Sequence, residues 1–262
     1  MNTDADTASQ KVSLTFAQWI RAEASWVVMM FVASRLFVFG MILWSRMTMH
    51  RGKFWQPGGL LTVLTQYDGA TYVAIVKRGY VSTDPASVAY CFPVFPMLGK
   101  LLKIFTADPQ LAATLASNIS LLGAGLLLNE LVRTDFAELK VRRTAVLFLM
   151  FSPASAFLSN AYPESTFLML SIGTLLAATQ ERWLLACLLG MLTSATRPVG
   201  VLIVLPLLVE FLSQAFRDRR SIRAAVDRRF LLLALVPCGA LLFMLYGYLR
   251  FHHPFLPAHN SL

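Results

Sequence analysis

Seven apolar runs, separated by short polar or proline-marked joints, dominate this 262-residue chain. They fall at about 26–45, 109–131, 144–160, 164–179, 183–196, 198–216 and 230–249. A membrane-crossing helix needs about 20 mostly apolar residues, with ~17 as a working minimum. The third to fifth runs are short by that measure, yet Ser152-Pro153, Tyr162-Pro163 and Arg197-Pro198 punctuate them as tight hairpins. Composition points the same way. Hydrophobic residues make up 56% and charged residues 14%, whereas a soluble domain carries about 25% charged residues. Too few polar side chains remain to cover a water-facing surface. The sequence therefore predicts an all-α polytopic protein with about seven transmembrane helices. Residues 1–262 read as a single integral membrane domain without repeats or a soluble module.

Residues 1–25 are polar and mixed in charge and read as a cytosolic N-terminal segment. The run from Trp26 to Ser45 is long for a signal-peptide core, and Ser45-Arg46-Met47 makes no small-residue cleavage site. An uncleaved first span is expected. The 46–105 segment reads as a non-cytosolic loop with interfacial helices. Its 89–105 stretch holds two prolines with Lys100 and Lys103, which suits an interfacial or re-entrant element better than a full span.

The formal charge of +9 comes mostly from short loops, where basic residues set topology and meet anionic lipid. No basic groove interleaved with aromatics is present, so no nucleic-acid partner is expected. With the N-terminus inside, inner loops hold Lys11, Arg21, Arg133, Lys140, Arg142, Arg143, Arg182 and six arginines between 217 and 229, which is thirteen of the 23 basic residues. Nine fall outside, inflated by the long 46–105 segment, and Arg35 sits within a span. The dense 217–229 cluster decides the orientation. Cys91, Cys187 and Cys238 are far apart in apolar surroundings and read as small buried hydrophobes.

This orientation brings Asp68, Asp84, Glu164 and Arg197 to the outer face from separate segments. Asp68 is the only acid between Glu23 and Asp84 and sits beside Tyr67. Asp-Gly is common turn chemistry. Alternatively, Tyr72, Val73, Ile75, Val76 and Tyr80 continue an amphipathic helix along the membrane surface, with the Asp68 carboxylate held by backbone N–H groups at its start. Glu164 opens a span, either as a first-turn acid favoured by the helix dipole or as a site residue. Arg197 is either a snorkelling anchor or a fork-shaped phosphate donor. Arg35 is mid-span, where an arginine costs roughly 2.5–3.5 kcal/mol on insertion scales, so it should face protein or a cavity. It is either structural or a ligand for lipid phosphate. Asp84-Pro85 reads as a loop turn, and Phe92-Pro93-Val94-Phe95-Pro96 as an interfacial kink. His50, His252, His253 and His259 lack ligand spacing, so no metal site is predicted.

In these residues the chain resembles the PIG-V family, whose eukaryotic members are the second mannosyltransferase of GPI-anchor assembly and which has bacterial relatives. The early-loop pattern reads here as Tyr67-Asp68, Tyr72, Ala74-Ile75 and Gly79-Tyr80. Phe92 to Pro96, Tyr162-Pro163-Glu164-Ser165 and Thr196-Arg197-Pro198-Val199-Gly200 follow in the family's order. Tyr67 replaces the family's Trp, and Val199 a common Asn. Family members run well beyond residue 262, so a C-terminally truncated member is expected. The resemblance implies a GT-C-type glycosyltransferase that takes a sugar, mannose by analogy, from a polyprenyl-phosphate donor at the non-cytosolic face. Asp68 and Glu164 would then be the catalytic carboxylates. Tyr67, Tyr72, Arg197 and Arg35 would bind substrate. No firm cofactor is implied, although a divalent metal assisted by Glu164 is compatible. The competing readings are a transporter or flippase of a lipid-linked sugar and a non-catalytic membrane subunit. Polar residues gathered at one interface and the lack of repeated halves speak against transport.

Overall fold

The computed structural model describes residues 16–48, 59–81, 91–217 and 228–251, which form helices and turns with no strand among them. The 1–15 segment, His50, Asp84-Pro85, His252, His253, His259 and most of the 217–229 cluster lie outside the described residues. Helix α1 (Phe16–Thr48) contains the first apolar run. The short α2 (Leu60–Leu64), α3 (Asp68–Arg78) and α4 (Val94–Thr106) follow. Next comes α5 (Pro109–Asp135), started by the Asp108 side chain, which accepts from the Gln110 N–H at 2.9 Å, with Pro109 pre-set in its first turn.

Helix α6 (Leu139–Phe151) breaks at Pro153 into a 3-10 helix (Pro153–Ser159), the two inclined by 69°. The apolar α7 (Glu164–Thr179) and α8 (Trp183–Ser194) lead to a second 3-10 segment (Pro198–Ile203) running into α9 (Val204–Arg217). Helices α10 (Arg228–Leu232) and α11 (Leu235–Phe251) complete the chain as described. Four helices are long and apolar enough to cross a membrane, or five if the bent α6 pair is one span. By length and composition, α7 and α8, at 16 and 12 residues, fall short of the expected seven.

Helix α5 lies at the centre. Its buried face is built from small residues, among them Ala112, Ala113, Ala116, Ser117, Ser120 and Ala124. Small side chains let neighbouring backbones approach where lipid supplies no hydrophobic drive for association. The same device joins α8 to α11, where a Cβ added at Gly239 would collide with the Met191 carbonyl. Ser194 Oγ seals that crossing, donating to Val236 O at 2.6 Å and accepting from the Ala240 N–H at 3.2 Å.

Helices α1 and α6 run in the same direction. Near their starts, buried Glu23 lies 3.0 Å from Arg143 and 3.6 Å from Arg142, and the Arg143 guanidinium sits over Trp26. Farther along, Arg35 meets the broken end of α6. Its Nη1 donates to Ser155 O at 2.9 Å and to Ser159 Oγ. Nη2 donates to Met150 O and Ser155 Oγ, both at 3.2 Å, and Nε to Ser34 Oγ at 3.3 Å. A guanidinium has five N–H donors, and this geometry gives each an acceptor. The break at Pro153 frees carbonyls that hydrocarbon cannot satisfy, and Arg35 supplies the missing donors. That arrangement favours a structural role over phosphate binding.

Candidate functional site

Two short strips of backbone meet where α3 and α7 begin. The Ala161 N–H donates to Leu64 O at 2.8 Å. The Tyr162 hydroxyl donates to Gln66 O at 3.1 Å. Ser117 Oγ, from α5, donates its one proton to Asn160 O at 2.5 Å and lies 3.2 Å from Tyr162 O. The Tyr162 ring lies so near Gly69 that a Cβ there would stand 3.3 Å from Cε1. A glycine at 69 therefore lets the start of α3 press against this strip.

Two acids thus open the two helices whose leading segments meet at this strip. Asp68 is the first residue of α3, and Glu164 the first of α7. Each lies where the helix dipole favours negative charge. The cap position of α3 belongs to Tyr67, and among the described residues no hydrogen bond holds the exposed Asp68 carboxylate. The expectation of a carboxylate fixed by backbone N–H groups is corrected accordingly. Asp68 is presented to solvent rather than spent on capping.

Tyr67 carries φ +53° and ψ −127° and is 71% exposed. A bulky side chain at positive φ is strained, and such strain concentrates at ligand-handling positions. The turn is held by Gly69 N–H to Gln66 O at 3.0 Å and Ala70 N–H to Tyr67 O at 2.9 Å.

Arg197 precedes the 3-10 segment at Pro198. Its Nη1 donates to Glu164 Oε1 at 2.6 Å, with both side chains more than a third or about a third exposed, 39% and 34%. Glu164 Oε2 is buried without a hydrogen-bond partner. The Val94 N–H donates to Ala195 O at 3.3 Å, which ties the start of α4 to the approach to Arg197. Burial, then the charges of Asp68 and Glu164, pushes the Tyr162 phenol above its ordinary value, while a hydrogen bond with Asn160 opposes this. Tyr162 therefore stays a neutral donor at physiological pH. Tyr162 was not singled out from the sequence as a site residue. Its position before Pro163-Glu164 was the available signal, but its contact with the Asp68 turn spans about a hundred residues of chain.

Two sequence-proposed binders lie elsewhere. Arg35 is 5% exposed beneath the α6 break. Tyr72 is also 5% exposed and meets Phe95 edge-on, ring centres 5.1 Å apart. With Ile75, Val76, Cys91, Phe95 and the alanines of α5 it forms a protein core. The apolar face of α3 thus packs against α4 and α5 rather than lying on lipid. The Phe92–Pro96 element is likewise buried rather than a belt kink. Phe92 packs on Phe243 at 4.8 Å. Tyr80 donates to Cys91 O at 2.6 Å and stacks near Phe243 and Tyr246 of α11. These contacts fasten the last described helix to the site loop.

Among the described residues no group of three His, Cys, Asp or Glu side chains converges. A cleft of about 530 Å3 opens between α1 and the α6 break, with Val38, Ile42, Val63 and Pro153 on its apolar walls and Arg46 at its lining. It lies apart from the acids, although Val63 directly precedes Leu64 of the strip.

No curated protein and no solved structure matches the chain. The family described as Mannosyltransferase (PIG-V) matches residues 60–256, a stretch that includes Asp68, Glu164 and Arg197. Membership supports glycosyltransferase activity in a multi-pass membrane protein. The chain belongs to the PIG-V mannosyltransferase family.

Proposed function

We propose that this chain is a GT-C-type glycosyltransferase that moves mannose from a polyprenyl-phosphate donor to a lipid-linked or other acceptor at the non-cytosolic face. The observation carrying this reading is the bridge from Tyr162, two residues before the Glu164 that pairs with Arg197, to the turn that bears Asp68. An acceptor hydroxyl is a weak nucleophile until its proton is taken. Asp68, exposed and free of capping bonds among the described residues, takes that proton. The hydroxyl oxygen bonds to the anomeric carbon as the bond to the phosphate oxygen breaks, and the configuration inverts. Arg197 receives the negative charge growing on the departing polyprenyl phosphate. Glu164 holds Arg197 through Oε1. Tyr67 presents its exposed ring to the sugar. Tyr72 and Arg35 act in the frame. A divalent metal, if used, would find Asp68 and Glu164 on this surface. The lipid chain of the donor has apolar walls available in the cleft beside Val63.

Seven spans, with α2 to α4 interfacial, complete the reading, the α6 pair, α7 and α8 being the added crossings. The N-terminus is cytosolic and the protein lies in the cell membrane. Glu23 sharing one end of α1 and α6 with Arg142 and Arg143 is consistent with the charge count. In a background lacking Cys91, Cys187 and Cys238, a cysteine at Gly58 should react with an impermeant reagent in intact cells. One at Ser221 should react only after permeabilisation. The reverse pattern would move the site to the wrong side.

The test of activity is product analysis with the purified chain in vesicles and radiolabelled polyprenyl-phosphate mannose. A glycosidic product supports the enzyme. Movement of intact donor lipid between leaflets supports a flippase, and neither outcome leaves a non-catalytic subunit.

A further inference from the structure

The end of α3 farthest from Asp68 gathers four cations. Lys77 and Arg78 are its exposed last residues. From α4, Lys103 Nζ donates to Lys77 O at 3.5 Å, and Lys100 Nζ lies 3.2 Å from where a Cβ on Gly79 would stand. Among the described residues none of the four pairs with a carboxylate. Asp108, at the end of α4, is occupied in capping α5. A helix C-terminus carries only about half a negative charge. Capping α3 therefore accounts for one of these cations and leaves the others in mutual repulsion.

Beside them, α4 presents Met97, Leu101, Ile104 and Phe105, exposed by 65%, 54%, 75% and 81%. Their spacing puts them on one face, while Phe95, Pro96 and Gly99 are buried against protein. A cationic ledge next to an apolar stripe fits an anionic lipid, with phosphate against the lysines and acyl chains along the stripe. Ten residues of helix separate Arg78 from Asp68, a rise of ~15 Å. A phosphate here therefore cannot be the one bonded to the sugar carbon attacked beside Asp68.

We propose that Lys77, Arg78, Lys100 and Lys103, with the Met97–Phe105 stripe, form a docking surface for anionic phospholipid, separate from the reaction centre. It anchors α3 and α4 to the leaflet and thereby sets the height of the Asp68 turn above the bilayer. The surface depends on the proposed reaction only for the location of that centre.

The experiment measures binding, so it stands whether or not transfer is detected. Delipidated protein is titrated in detergent with phosphatidylglycerol or phosphatidylcholine, and bound lipid is counted by native mass spectrometry. The parent should prefer phosphatidylglycerol, and the preference should shrink with salt. Each Lys→Gln or Arg→Gln change at the four positions should weaken it roughly fivefold. The salt series on the parent decides the matter even where a single variant fails to fold. Asp68→Asn should bind phosphatidylglycerol like the parent. Equal affinity for both lipids, or single variants that bind as tightly as the parent, would overturn the proposal. So would equimolar polyprenyl phosphate displacing phosphatidylglycerol, because the cations would then belong to the substrate site.

Discussion

Two arginines stand beside two 3-10 segments that open on proline, and they are used in opposite ways. At Pro153 the 3-10 segment is stitched to α1 by Arg35, which is buried and bonds with all five N–H donors to protein acceptors. At Pro198 the 3-10 segment is led by Arg197, which is 39% exposed and gives one nitrogen to Glu164. A buried guanidinium whose donors are all taken holds a fold. One at a rim, with a single nitrogen engaged and its other N–H donors left over, has capacity for a ligand. The same residue type beside the same kind of segment thus holds the frame in one place and, in the proposed reading, serves the site in the other.

Replacing Arg35 should produce the largest effect. Arg35→Met leaves the Met150 and Ser155 carbonyls and three serine hydroxyls short of a donor, at about 1–3 kcal/mol for each buried group left unpaired. We expect loss of monodisperse, thermally stable protein in detergent, with partial recovery in Arg35→Lys. A stable Arg35→Met protein that binds donor more weakly would erase the contrast. At Arg197 the outcome should invert. Arg197→Lys keeps charge but loses the planar fork, so folding should be parental while donor affinity drops roughly tenfold, about the worth of one charge-assisted hydrogen bond. Unchanged donor affinity would return Arg197 to the role of an interface anchor.

A smaller effect is expected at the bridge. Tyr162→Phe keeps the ring over Gly69 and removes the bond to Gln66 O. Turnover should fall several-fold to roughly tenfold, through a misplaced Asp68 turn, with donor affinity kept. Parental turnover would mean that the ring alone positions the turn.

The helical frame was largely legible in the sequence because apolar runs and prolines are local signals. The 144–160 run becomes α6 and its 3-10 extension, and 198–216 becomes a 3-10 segment and α9. The two first-turn acids were legible for the same reason. Long-range pairing was not. Nothing near Arg35 announces acceptors 115 to 124 residues away. Nor does the periodicity of α3 say whether its apolar face meets lipid or the small residues of α5, since both are apolar. The resemblance implies that Tyr72 binds substrate, and it lies in the core.

In the proposed reaction Asp68 takes the acceptor's proton during sugar transfer. Asp68→Asn preserves size and removes the base. The measurement is turnover of polyprenyl-phosphate mannose by purified variant and parent in matched vesicles, alongside thermal stability of both. If Asp68 is the base, Asp68→Asn should keep parental stability while turnover falls about 10²–10⁴-fold. Near-parental turnover in a stable Asp68→Asn protein would contradict it and pass the role of base to Glu164.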